Sequence, residues 1–216
     1  DGMKNYIGGV ILFDETIKQI TSSGTSIPDL IDKSGTIIGI KVDMGLKEHP
    51  DSSEEKVTEG LEGLKERLEE YYKMGARFTK WRVLLNISEK YPSEIAIQSN
   101  ANTLAKYAAL VQESNMVPIV EPEVLMDGDH DINKCYEVTA KVLTACYAEL
   151  KSHNVDLKGT LLKPNMVLPG TLSQNRNSTE EIAKMTLKCL KENVPSEVPG
   201  IAFLSGGQSE IEATRN

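Results

Sequence analysis

Five polar residues that close apolar runs recur at one phase of this chain. Lys41, Lys80, Glu121, Lys163 and Ser205 are separated by 39, 41, 42 and 42 positions. An interval of about 40 residues holds one strand, one crossover helix and two loops, the dimensions of a parallel βα unit. This recurrence limits the fold more than any other property of the sequence. It also places five reactive or polar side chains where successive strands end.

The runs that these residues close span 35–43, 76–85, 117–125, 159–167 and 200–207, and another run, 5–13, precedes them. Their near-continuous apolarity suits parallel strands covered by helices rather than strands half exposed to water. Helical patterns fill the intervals. Over 52–75, Val57, Leu61, Leu64, Leu68 and Tyr72 fall at spacings of three and four, with Ser52 and Ser53 as the start and Gly75 as the stop. Residues 93–114 carry Ile97, Leu104, Tyr107, Leu110 and Val111 in the same manner, and 132–153 is a further helix. Residues 178–193 open on a capping box formed by Ser178 and Glu181.

The predicted fold is α/β: a parallel (βα)8 TIM barrel, with residues 1–216 forming a single domain. Such barrels run to about 250 residues with eight strands, and their active sites lie at the carboxyl ends of those strands. Six strands are legible here. The chain starts without Met and stops at Asn216, inside a predicted helix, so we expect an internal segment lacking both ends of a longer protein.

The 24 basic and 32 acidic residues give a formal charge of -8, which argues against non-specific nucleic-acid binding. No apolar stretch approaches the roughly 20 residues of a membrane span. The opening DGMKNYIGG lacks the basic-then-apolar order of a secretory signal. Cys135, Cys146 and Cys189 are widely spaced in helical patterns and read as reduced thiols, as expected of a cytoplasmic protein. His49, His130 and His153 lie in polar segments and read as surface residues. No metal site is visible.

Side chains two apart on a strand share a face. Lys80 and Arg82 therefore point together, as do Glu121 and Glu123, and Lys41 and Asp43. One charged pair could simply cap its strand in water. Three on consecutive strands, with Lys163 at the same phase, point to a solvated cavity instead. Clustered, partly buried amines depress one another's pKa, and a neutral lysine can attack a ketone to form a Schiff base. Losing water from the carbinolamine needs a carboxyl group to move protons, which two glutamates on one strand can supply. Lys41 and Arg82 suit an anionic substrate, arginine suiting phosphate in particular. The Ser205-Gly206-Gly207 loop lets backbone N–H groups approach an anion.

The motifs GGVILFDET, GIKVDMG, KWRVLL, IVEPEVL, LLKPNMVLPG and FLSGGQSE closely resemble the class I fructose-bisphosphate aldolases, the metal-independent glycolytic type. The resemblance covers essentially the whole chain, in order. It implies reversible cleavage of fructose 1,6-bisphosphate to dihydroxyacetone phosphate and glyceraldehyde 3-phosphate, with no metal or cofactor. By that resemblance Lys163 forms the Schiff base, Glu121 transfers protons during dehydration and Glu123 orients the lysine cluster. Lys80 steadies the hydroxyl and charge near the reacting carbons. Arg82 and Lys41 face the far phosphate, and Ser205 with Gly206 and Gly207 takes the phosphate beside the ketone.

The resemblance also implies a homotetramer, a phosphosugar substrate and cytoskeletal partners. The family's first-strand aspartate, eighth-strand arginine and C-terminal tyrosine have no counterpart in these motifs. Two other readings stand beside the aldolase: a different Schiff-base phosphosugar lyase, and a non-catalytic scaffold that binds the cytoskeleton.

Overall fold

The computed structural model describes residues 5–216. In chain order the elements are β1 (Gly9–Leu12), α1 (Asp14–Ile17), α2 (Ile27–Lys33), β2 (Ile37–Lys41), β3 (Leu46–His49) and β4 (Ser52–Thr58). They continue with α3 (Leu64–Lys73), β5 (Phe78–Leu85), α4 (Glu94–Glu113), β6 (Val117–Val124), α5 (Ile132–Ser152), β7 (Leu161–Leu162), α6 (Thr179–Asn193) and α7 (Glu210–Arg215).

The apolar runs assemble into one parallel sheet in the order β1-β2-β5-β6-β7. The expected parallel α/β architecture is therefore present, as an open sheet that does not close on itself. Five of the six expected runs supply its strands. The sixth, 200–207, contributes only a parallel bridge between Ile201 and Leu162, with the Ala202 N–H donating to the Leu162 carbonyl at 2.9 Å. The fifth run pairs as a strand only over Leu161–Leu162, although beyond it the Lys163 N–H still reaches the Val120 carbonyl and the Leu204 N–H donates to the Pro164 carbonyl at 3.4 Å. Pro164 has no N–H to return toward the 200–207 run.

One face of the sheet packs on helices α3 to α6. β5 shows the division, its residues alternating between buried and half-buried. Thr79, Trp81, Val83 and Leu85 form the buried set, and Lys80, Arg82 and Leu84 face the other way. Trp81 is fully buried, with its ring centroid 5.3 Å from that of Tyr107 on α4. The Tyr107 hydroxyl donates to the Ile119 carbonyl at 3.2 Å and so receives the Thr79 hydroxyl at 2.6 Å. One helical side chain thereby fastens β5 to β6. On the opposite face, Gly39 leaves room for the Phe78 ring, which a Cβ would meet at 2.2 Å.

The helix expected over 52–75 is only half realised. Residues 52–58 are β4, which pairs antiparallel with β3, and the helix begins at Leu64. Val57 belongs to the hairpin and Leu61 to the connection, so their helical spacing with Leu64 was coincidental. Gly60 and Gly63 carry φ of 123° and 62°, backbone that breaks a continuous helix. The expected stop holds, with Gly75 at φ 102° just past the last turn.

The helices expected over 93–114 and 132–153 are α4 and α5, and the Ser178–Glu181 capping box on α6 is present. Glu55 of β4 adds a cap to α4 by accepting from the Ser93 N–H at 2.8 Å and the Ser93 hydroxyl at 2.7 Å. Cys135, Cys146 and Cys189 are free, buried thiols on helices, as expected. Among the described residues, no helix is long and apolar enough to cross a membrane.

Two of the three histidines depart from expectation. His49 is buried, with Nε2 3.0 Å from the Ser99 hydroxyl and Nδ1 accepting the Asp51 N–H. His130 is buried in the β6–α5 loop. Each lies in a polar stretch of sequence that tertiary packing covers.

Candidate active site

The parallel ladder aligns the charged residues across strands. Lys41 lies opposite Lys80, Arg82 opposite Glu121 and Leu84 opposite Glu123. Val120 lies opposite Leu162, and the Lys163 N–H donates to the Val120 carbonyl at 2.8 Å. The two-residue period then brings Lys41, Lys80, Arg82, Glu121, Glu123 and Lys163 onto the face away from the helices.

Their contacts, with Asp43, form one chain of alternating charge and one separate ion pair. Lys163 Nζ donates to Glu121 Oε1 at 2.7 Å. Lys80 Nζ stands 3.0 Å from Glu121 Oε2 and 3.8 Å from Asp43 Oδ2. Asp43 Oδ1 is 2.5 Å from Lys41 Nζ. Arg82 Nε donates to Glu123 Oε2. That bond, foremost, holds the Arg82 guanidinium above its ordinary pKa, against the opposing effect of desolvation.

Glu121 and Glu123 are each 3% exposed, so both carboxylates depend on these cations. Distance and geometry differ at Glu121 Oε2: Lys80 is near enough for an ion pair, yet the oxygen has no aligned hydrogen bond among the described residues. The distance establishes the charge contact.

An open cavity of about 430 Å³ lies over this face. Lys80, Arg82, Glu121, Glu123 and Lys163 line one side, and the segment Phe203–Gly207 lines the other. Ser205, Gly206 and Gly207 thus meet the charged cluster although no strand carries them. Gly206 and Gly207 have φ of 61° and 83°, a turn that favours glycine at both positions. Lys41 stands one step back, joined through Asp43. The cluster's four cations and three carboxylates leave one positive charge when all are ionised. In a chain of net charge -8, that local excess favours an anionic ligand. Among the described residues, no group of three or more His, Cys, Asp or Glu side chains is arranged to hold a metal ion.

Two residues outside the expected set help to build the site. Asn165 is buried; its Oδ1 accepts the Val124 N–H at 3.0 Å and its Nδ2 donates to the Thr139 hydroxyl at 3.1 Å. It ties the turn after Lys163 to the end of β6 and to α5. Asp43 links Lys41 to Lys80. Its phase with Lys41 was legible in the sequence, but its contact with Lys80 on the next strand was not.

The family model described as "Glycolytic: Fructose-bisphosphate aldolase class-I" matches residues 1–216. The cytosolic fructose-bisphosphate aldolase 4 of Arabidopsis thaliana is 53% identical over 215 residues, covering 100% of this chain and 55% of that protein. A probable class 1 fructose-bisphosphate aldolase of Xylella fastidiosa is 51% identical over 212 residues, covering 98% of this chain and 64% of its own length.

Among solved structures, fructose-bisphosphate aldolase from Plasmodium falciparum, in complex with TRAP and a small molecule inhibitor, superimposes with a TM-score of 0.97 at 45% identity. That match covers 100% of this chain and 62% of the other. The chain therefore spans between 55% and 64% of the length of these three relatives.

Proposed function

Because this chain belongs to the class I fructose-bisphosphate aldolase family, we propose that it carries the Schiff-base machinery for reversible cleavage of fructose 1,6-bisphosphate to dihydroxyacetone phosphate and glyceraldehyde 3-phosphate. The observation that carries this reading is Lys163 Nζ bonded to a buried carboxylate, itself shared with Lys80, at the wall of an open cavity.

In this reading the neutral Lys163 amine attacks the substrate ketone, and Glu121 first receives and then returns the proton that lets the carbinolamine lose water. The hydroxyl on the leaving carbon then gives its proton to Glu121, ionised again once water has left, while the iminium accepts the electron pair of the breaking carbon–carbon bond, leaving an enamine and releasing the aldehyde. Lys80 lies beside Glu121, where it steadies negative charge on the reacting oxygens. Glu123 fixes Arg82, which with Lys41 serves the far phosphate. Ser205 and the N–H groups of Gly206 and Gly207 take the phosphate beside the ketone.

The same proposal includes the architecture. The five parallel strands with their crossover helices form part of a single (βα)8 barrel domain, a reading supported by the TM-score of 0.97. It also includes a cytoplasmic location and a homotetramer.

Borohydride trapping with dihydroxyacetone phosphate on the full-length protein, followed by peptide mass mapping, tests the chemistry. A stable adduct on Lys163 is the expected result. An adduct on another lysine would overturn the role assignment, and no adduct would end the aldolase reading. A second reading, partner binding uncoupled from catalysis, draws on the Plasmodium relative having been solved with TRAP. Co-sedimentation of a Lys163→Met variant with filaments tests it.

A further inference from the structure

We propose that Asp43 is a positioning residue of this site: it holds Lys80 between two carboxylates and so sets how strongly Lys80 bears on Glu121. The inference rests on the Schiff-base reading of the cavity.

Asp43 follows the last residues of β2, and its side chain is only 6% exposed. Oδ1 takes Lys41 at 2.5 Å, while Oδ2 faces Lys80 at 3.8 Å and accepts the Arg82 N–H at 3.4 Å. Backbone bonds fix it from both sides. The Val42 N–H donates to the Lys80 carbonyl at 3.1 Å, and the Met44 N–H donates to the Glu59 carbonyl at 2.8 Å. Arg67 of α3 donates to the Val42 carbonyl at 3.0 Å. A carboxylate so constrained cannot follow Lys80 if that side chain moves.

Lys80 therefore stands between two fixed anions and lies closer to Glu121, at 3.0 Å, than to Asp43, at 3.8 Å. Removing the charge of Asp43 would leave Glu121 as its one carboxylate. Lys80 would draw nearer to Glu121, which also binds Lys163 at 2.7 Å, and would clamp that carboxylate more tightly. Glu121 must take up a proton as well as release it during dehydration, so a carboxylate clamped by Lys80 slows that step. A purely structural Asp43 would tie β2 to β5 and leave the rate of dehydration unchanged.

The test compares the full-length protein with its Asp43→Asn variant. The variant keeps the shape and an oxygen for Lys41 but removes the charge. We expect kcat for cleavage to fall by about 10- to 100-fold with KM within about 2-fold, and the rate at which the trappable iminium forms to fall in step. Asp43→Glu should restore most of that rate. If Asp43→Asn fails to fold, Lys41→Met carries the test: it frees Asp43 to compete for Lys80 and should raise the rate of iminium formation at saturating substrate.

An unchanged rate of iminium formation in the tested variant, while the unsubstituted protein still yields the borohydride adduct on Lys163, overturns the role of Asp43 alone. Absence of that adduct in the unsubstituted protein overturns the Schiff-base reading and this inference with it.

Discussion

Lys163 Nζ and Glu121 Oε1 are 2.7 Å apart, joining the residue just past β7 to the neighbouring strand β6 at the wall of the cavity. The pair unites the proposed nucleophile with the group proposed to move its protons. Both are placed by backbone pairing rather than by flexible loops. The Lys163 N–H is bound to the Val120 carbonyl, immediately before Glu121. Pairing on a ladder limits the drift of the two side chains, which proton transfer over such a distance requires.

Lys163→Arg preserves the charge but presents a guanidinium that does not lose its proton near neutral pH. Adduct formation should vanish and cleavage should fall by at least about 10³-fold. Borohydride trapping with mass mapping reads this directly, and an adduct still appearing in the same peptide would refute the assignment.

Glu121→Gln retains the size of the side chain and removes its capacity to exchange protons. Cleavage should slow by about 10²- to 10⁴-fold. The rate at which the trappable iminium appears should fall in step, since dehydration precedes it. Rapid-quench trapping distinguishes this from weakened binding; an unchanged rate of iminium formation would remove Glu121 from the dehydration step.

Arg82→Ala should raise KM about 10-fold by removing a phosphate contact, and it also strips the buried Glu123 of its partner. We expect a loss of about 1–3 kcal/mol in stability from that buried, unpaired carboxylate. The double variant Arg82→Ala/Glu123→Gln should regain most of the stability without regaining affinity. Denaturant melts and steady-state kinetics on the same samples separate the two effects.

His130 supplies a pH dependence of stability. Burial lowers its pKa from the ordinary 6.5, against the opposing pull of Asp129 and Asp131. Its unfolded form therefore binds a proton more readily than its folded form. The penalty is absent above the unfolded value and grows as pH falls through it toward the lower folded value. Melting temperature should thus drop on acidification below about pH 6.5, and His130→Phe should flatten that slope. Equal slopes in the two proteins would show that other groups govern the acid limb.

Much of the site was legible from local periods. A strand presents alternate residues to one face whatever surrounds it, so Lys80 with Arg82 and Glu121 with Glu123 could be grouped before any strand was placed. The 39- to 42-residue recurrence of strand ends announced parallel units in the same way. The capping box at Ser178 and the glycine stop at Gly75 are equally local and were found where expected.

Tertiary structure decided the rest. Residues 52–58 carried a pattern compatible with a helix, and pairing with Leu46–His49 made them a strand. His49 and His130 sit in polar stretches, and it is packing by distant elements that buries them. Above all, a residue's phase along its own strand says nothing of its partner on the next. Lateral register and side-chain reach set Arg82 on Glu123, Lys80 between Glu121 and Asp43, and Lys163 on Glu121. The sequence by itself determined which side chains share a face, because that follows from the covalent period of a strand. Which acid meets which base was decided by strands some 40 residues apart coming to lie side by side.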